Sequence, residues 1–400
     1  MMAMRGQLGH DDNFFFDGSL RERVRIRRAA LYKDSMQLLN DLGPRLKHQV
    51  QVSFVNQHGA EEAGIDGGGV FKEFLDDLIK DGFAVQTGEE SHAGAPPLFS
   101  VTPLQTLAVN LDMADNPNMQ EHYQFLGRVL GKAVYESILV EPQFCLPFLN
   151  QLLAKTNSVE DLKNFDEEYY KNLNQLRRMS DAEIESLGLT FELTVSSGSS
   201  TRRDSPPRTV ELIPGGRSVA VTKKNVFRYI HMVAHQKLNV LGAPQTRAFL
   251  RGFRDLIPAS WVRLFSANEL QKLISGDDSV RGIDVASLKK SMHYLGGYHI
   301  SQPYIQDFWD ILENDFTPEQ QRKFLKFMTS CSRQPLLGFA SLEPMPSIQQ
   351  IRLPEADKNS KLPTSQTCMN LLKLPNYKNK NLLKEKLLAA VEAGAGFELT

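Results

Sequence analysis

Apolar positions along this chain recur mostly at helical spacing, interrupted by a few short alternating runs. Leu31, Leu38, Leu39 and Leu42 form one stripe, closed by Gly43-Pro44. Ser19, with Glu22 three residues on, is placed to cap a helix running from residue 19 into that stripe. Its first half carries Arg21, Arg23, Arg25, Arg27 and Arg28, which read as a solvated face. Val50, Val52 and Phe54 alternate with polar residues and predict a strand. Residues 123–139 form a strong helical pattern in which Gly127, Gly131 and Ala133 leave room for a second helix to approach closely. Residues 143–153 continue that pattern.

From about residue 159 to 236 the pattern suggests a separate small unit. A helix over 166–179 puts Tyr169, Leu173 and Leu176 on one face. Residues 189–195, 209–213 and 219–221 read as strands. Thr222 is placed to cap a helix over 225–238, on which Tyr229 and Val233 are neighbours. Between the first two strands, residues 196–207 form a Ser/Gly/Arg/Pro loop of low complexity. Helical spacing resumes over 243–274. It breaks at 275–282, where Ser275, Gly276, Asp277, Asp278, Ser279 and Gly282 cluster as a linker. Beyond it, helices are expected over 284–295, 303–313, 319–328 and 381–392, the last with Leu383, Leu387 and Val391 inward. Strands are expected over 339–342, 348–353 and 369–374, with a turn at Gly296-Gly297. The fold class is α+β. It divides into an amino-terminal part (1–278, with its small unit), a linker (279–282) and a carboxy-terminal part (283–400).

Composition narrows the function. With 41% hydrophobic and 23% charged residues over 400 positions, this is an ordinary globular composition. A net charge of −1 does not favour nucleic acid or an anionic membrane as partner. No apolar run approaches the roughly 18 residues a membrane helix needs. Cys145, Cys331 and Cys368 are few and far apart, which fits a reducing compartment, the cytoplasm with the nucleus also open. Gly64, Gly67, Gly68 and Gly69 precede a helix but match no phosphate-loop pattern, so a tight turn is the better reading. His231 and His235 share a helix at zinc-binding spacing, without an intervening Glu or a third ligand, and no metal or other cofactor is expected.

One cysteine stands out by its surroundings. Leu362-Pro363-Thr364-Ser365-Gln366-Thr367-Cys368-Met369-Asn370 leads into Leu371-Leu372-Lys373-Leu374-Pro375-Asn376-Tyr377. A thiol at such a loop-to-strand junction is a candidate nucleophile, although a lone intracellular Cys is more often a small buried apolar residue. This motif, near a chain end with Gly396-Phe397-Glu398-Leu399 beyond, resembles the active-site loop of HECT-type ubiquitin ligases. The resemblance extends from about residue 21 to 400, with Lys72-Glu73-Phe74 after the glycine turn matching a family pattern. Residues 329–339 are most similar to the branch of ubiquitin-protein ligases three-B and three-C. Two departures are visible. Met369 stands where most members carry Phe, and Gln366 where many carry His.

The resemblance implies a bilobal HECT fold and a ubiquitin-protein transferase. Cys368 would accept ubiquitin from a conjugating enzyme as a thioester and pass it to lysines of protein substrates. It implies that Thr367 and Asn370 orient the loop, that Leu362 and Met369 face donor ubiquitin, and that Phe397 supports the second transfer. Tyr169, Leu173, Leu176, Tyr229 and Val233 would form the conjugating-enzyme groove; a Leu/Tyr stripe is also what a plain core looks like. Residues 275–282 would act as the interlobe hinge. Two other classes stay open: a papain-like thiol hydrolase, with His293 and His299 nearest in sequence to Cys368, and a catalytically silent scaffold.

Overall fold

The computed structural model describes residues 21–56, 69–85, 94–195, 208–354 and 359–393. The chain is α+β in content, with helices carrying most of the packing and, among the described residues, short sheets at four places.

The first element corrects the sequence expectation. Arg21–Arg27 is a strand, and the helix starts only at Leu31 (Leu31–Leu42). The reason is legible in hindsight: Val24 and Ile26 are buried while Arg23, Arg25 and Arg27 are exposed, a period of two. The strand pairs in parallel with Gln49–Val55, from Arg21 opposite Gln49 to Arg27 opposite Val55. A parallel pair needs a crossover, and the helix Leu31–Leu42 supplies it. Arg28 then lies over the Phe54 ring, its guanidinium carbon 3.8 Å from the centroid.

The helix Met119–Tyr135 crosses Ala243–Leu256 at the centre of the largest apolar cluster. The expectation of close approach at Gly127 holds. A Cβ there would fall 2.0 Å from the Phe249 carbonyl oxygen, and one at Gly252 would fall 1.8 Å from that of Gln124. The two glycines thus let the backbones touch from both sides. Around this crossing Phe83, Phe99, Phe144, Phe148 and Phe249 interlock, several edge to face.

A second cluster gathers residues from Leu162 to Leu238. The helix Glu167–Leu176 is capped by Asp166, whose carboxylate accepts from the Tyr169 amide at 2.9 Å. The strands Glu192–Val195 and Arg208–Glu211 pair antiparallel. The expected strand at 219–221 is reduced to a bridge between Thr190 and Ala220. The helix Val226–His235 follows Asn225, and Thr222 contributes its backbone carbonyl rather than a capping side chain, accepting from the Asn225 and Val226 amides.

The third cluster runs from Ile283 to Val391. A four-stranded sheet has the order His293–Leu295, Ser347–Ile351, Leu371–Pro375, Thr364–Gln366, parallel except for the last pair. Val285–Ser291, Pro303–Asp310, Pro318–Thr329 and Lys380–Glu392 are its helices. Two expectations fail here. The helix expected over 284–295 stops at Ser291, because His293–Leu295 pairs with the sheet before Gly296 and Gly297 turn the chain at positive φ. Residues 339–341 form a single 3₁₀ turn rather than a strand, closed on the Gly338 carbonyl by the Ser341 amide and hydroxyl.

Gly276 and Gly282, with φ of 83° and 84°, bracket the segment between the first and third clusters. Arg333 ties across it, donating to the carbonyls of Ser275 at 2.6 Å and Glu141 at 2.7 Å.

Candidate active site

Cys368 sits in a one-turn 3₁₀ helix, Thr367–Met369, between the strands Thr364–Gln366 and Leu371–Pro375. The strand expected from Met369 therefore begins two residues later, and the difference is Asn370. Asn370 adopts the left-handed conformation (φ 47°, ψ 40°), which Asn tolerates better than most residues. It is fully buried. Its amide N–H closes the turn on the Thr367 carbonyl at 3.2 Å, its side-chain NH₂ donates to the Pro344 carbonyl at 2.6 Å, and its own carbonyl accepts from Ser347 at 3.0 Å. Leu372 and Leu374, just beyond, have no exposed surface, so the turn is anchored to the sheet's interior strand.

A residue from far away completes the turn. Lys72, on the helix Gly69–Gly82, donates its ammonium to the Thr367 carbonyl at 2.9 Å and to the Asn370 side-chain oxygen at 2.6 Å. Lys72 is 8% exposed, and burial pulls its pKa down to about 8 despite Asp76 and the nearby thiols. Cys368 itself is half-buried. Burial, and then the charge of Glu73, push its thiol up, while Lys72 pulls it down. Cys145 and Cys331 are buried, and desolvation raises them to about 12 and about 11. Of the three cysteines, Cys368 alone is open to an attacking or leaving partner. An open cleft of about 1000 Å³ leads to it, lined by Arg28, Glu73, Asp77, Arg352, Lys361 and Lys373 among others. Arg28 holds Glu73 in place through a 3.0 Å ion pair.

The remaining sequence candidates fall into three groups. Thr367 and Met369 lie in the thiol turn, and Leu362, half-buried like Met369, packs on the carboxy-terminal core. Leu173, Leu176, Tyr229 and Val233 belong to the core of the 162–238 cluster; Val233 has no exposed surface, and Tyr169 is half-buried beneath the Lys237 ammonium. Exposed apolar surface on that unit comes instead from Phe227 (60%) and Leu187 (47%). Phe397 lies outside the described residues. His231 and His235 stack their rings, and among the described residues no group of three or more His, Cys, Asp or Glu could hold a metal ion. Neither His293 nor His299 lines the Cys368 cleft; His299 is engaged with Ser301.

Sequence reasoning missed Lys72 as a site residue. The Lys72-Glu73-Phe74 run reads only as a family pattern with no role attached, and Lys72 lies 295 positions from Thr367.

Asn370→Ala should loosen this turn. It places Cβ-bearing Ala in the left-handed region and leaves the Pro344 carbonyl and the Lys72 ammonium short of partners, a loss of about 2–4 kcal/mol from the carboxy-terminal part. Thermal unfolding should show that part melting earlier, and Asn370→Gly should recover only the backbone share. A wild-type melting curve for the Ala variant would refute this account of the turn.

A sequence model of the HECT-domain (ubiquitin-transferase) family matches residues 92–400. The chain belongs to the HECT family. Ubiquitin-protein ligase E3B of Homo sapiens is 39% identical over 412 residues, covering 94% of this chain and 36% of its own length. The E3 ubiquitin-protein ligases UPL6 of Arabidopsis thaliana (41% identical) and HUL5 of Saccharomyces cerevisiae (38%) cover 95% and 96% of this chain, and 35% and 40% of their own lengths. This HECT chain thus spans little more than a third of the curated relatives it matches. The stretch matched by the family model starts beyond the helix Gly69–Gly82, so Lys72 lies outside it.

Proposed function

We propose that this chain is the catalytic module of a ubiquitin-protein ligase that carries ubiquitin on Cys368. The observation that carries the reading is an accessible, half-buried thiol on a turn held by Asn370 and Lys72, in a HECT chain whose other two thiols are buried. In the first step the Cys368 thiolate attacks the thioester carbonyl of a charged conjugating enzyme, and that enzyme's thiolate leaves. In the second a lysine amine attacks the new thioester, the C–S bond breaks with its electron pair on the Cys368 sulfur, and the amine proton passes to solvent. Thioester exchange is nearly isoenergetic, and positioning the two sulfurs supplies the rate. Thr367 and Asn370 set the sulfur's direction, and Leu362 and Met369 meet donor ubiquitin.

The module reads as an amino-terminal lobe (1–278), a hinge (279–282) and a catalytic lobe (283–400). The separate apolar clusters on either side of the positive-φ glycines support that division. The unit at 159–236 is the docking site for the conjugating enzyme. Because Leu173, Leu176, Tyr229 and Val233 are buried, they shape that surface from below, and Tyr169 and Phe227 offer the accessible rings.

The test is to mix the protein with ubiquitin-charged conjugating enzyme and look for an adduct that reductant removes. No adduct would leave a silent scaffold; release of free ubiquitin without an adduct that reductant removes would point to a hydrolase. The tail makes a separable prediction. Burying a Phe side chain is worth about 1.5–3 kcal/mol, enough to hold a short tail against a pocket. Phe397→Ala should therefore leave charging of Cys368 nearly intact and slow discharge to lysine severely in a pulse-chase experiment. Equal decay of the adduct in both proteins would rule the tail out of the second step.

A further inference from the structure

The geometry points to Lys72 as a positioning residue for discharge: it grips the thiol turn from the amino-terminal part and presents positive charge to the Cys368 sulfur as that sulfur leaves. The inference rests on the reading of Cys368 as the thioester thiol. Three observations carry it. The Lys72 ammonium bonds to residues on both sides of Cys368, Thr367 and Asn370, in the turn that aims the sulfur. It is close enough for its charge and that of the Cys368 thiolate to act on each other. And it stands against two local rules. A lysine is placed in the first turn of a helix, where the backbone dipole disfavours a cation, and it is buried with neutral acceptors. Where a side chain breaks local rules in this way, function is the usual compensation.

The described arrangement also says which step is served. The thiol turn packs chiefly on the helices Gly69–Gly82 and Pro318–Thr329, and the 162–238 unit contributes no residue to the cleft around Cys368. This is therefore not the arrangement in which a conjugating enzyme docked on that unit meets the sulfur. A swing of the carboxy-terminal part toward it would break both Lys72 bonds, so charging proceeds without them. In discharge the leaving group is the Cys368 thiolate. The buried Lys72 ammonium, bonded to the residues on either side of Cys368, stabilises it without any proton transfer.

The charged and titratable groups acting on Lys72 are Asp76 and the two thiols, with Glu73 beside it on the same helix. Cys368 has no proton to lose while acylated, and Cys331 titrates only near 11. Acylation also removes the Cys368 charge that helps keep Lys72 protonated, so a fall in discharge rate at or below about pH 8 is the signature of Lys72 itself. Below that pH the ammonium is present and discharge is fast; above it the charge and its benefit are lost.

The experiment charges Cys368 with labelled ubiquitin, removes the conjugating enzyme, and chases with hydroxylamine, a nucleophile already neutral throughout that range. Wild type, Lys72→Met and Lys72→Arg are compared for charging, discharge against pH, and melting temperature. Wild-type discharge should fall as pH rises, with the fall complete by a little above pH 8, the value Lys72 has beside the free thiol. Lys72→Met should charge normally, discharge roughly tenfold more slowly below that pH, and show no such fall; this corresponds to about 1.4 kcal/mol in the barrier. Lys72→Arg, which keeps its charge, should discharge without the fall. The proposal is overturned if Lys72→Met retains the wild-type pH profile or rate. It is equally overturned if charging and discharge slow together with a lowered melting temperature, the mark of a purely structural lysine. Failure of the wild type to charge at all would remove the thioester reading and this inference with it.

Discussion

Replacing Cys368 by Ala should abolish the reductant-sensitive ubiquitin adduct and lower transfer to lysine by more than about a thousandfold. Cys145→Ala and Cys331→Ala should keep it. The distinction comes from burial. Cys145 and Cys331 are 2% exposed, with thiols raised to about 12 and about 11, so at neutral pH neither offers a thiolate nor a path to one. Cys368 is half-exposed at the mouth of a cleft. Its thiol is also raised, by burial first and then by Glu73. The sign for charging rests on the thiol's ordinary chemistry: a cysteine is mostly protonated at pH 7 and only its thiolate attacks, so charging at fixed conjugating enzyme should speed up as pH rises. Cys368→Ser should trap an oxyester that reductant does not remove. If Cys331→Ala alone lost the adduct while melting like wild type, the assignment would move to Cys331.

The largest effect on stability is expected at the helix crossing. In Gly127→Ala the new methyl would lie 2.0 Å from the Phe249 carbonyl oxygen and 2.9 Å from two further backbone atoms, so no rotamer change can relieve the clash. The helices must separate, and the phenylalanines around Phe249 lose their packing. The cost should reach or exceed the upper end of the roughly 1–3 kcal/mol typical of overpacking, or about 5–10 °C in the transition of the amino-terminal part. Gly131→Ala is the internal control. Its methyl would lie 3.2 Å from the Phe253 carbonyl, a milder contact, and it should cost clearly less. Equal melting of the two variants would mean that the crossing tolerates separation.

Much of this fold could be read along the chain because its signals are local. Asp166 capping Glu167–Leu176, the small residues of Met119–Tyr135 and the inward leucines of Lys380–Glu392 all announce themselves within a few positions. The misreadings have one cause in common: pairing decided them, not propensity. Arg21–Arg27 is a strand because Gln49–Val55 lies beside it, and His293–Leu295 because Ser347–Ile351 does. At the site, the motif around Cys368 gave the thiol and its turn. It could not give Asn370's left-handed backbone, which depends on Pro344 and Ser347. Nor could it give Lys72, whose meaning exists only once residues 295 and 298 positions apart have met. Burial of Leu173, Leu176 and Val233 was likewise invisible, since a stripe that faces inward and one that faces a partner are spelled alike.

The parallel strand pair at the start of the described chain has a consequence for where this HECT module can be divided. Residues 21–85 contain no cysteine and nothing of the thiol motif, yet they furnish Lys72, Glu73 and the Arg28 that steadies Glu73. They also put Ile26, Phe54, Phe74 and Leu78 into the same core as the helix crossing. A fragment starting at Gly94 would keep the reactive sulfur but present an open half-core and a turn with no ammonium to hold it. Chemistry that reads as the property of one end of the polypeptide is, as a machine, jointly owned by both.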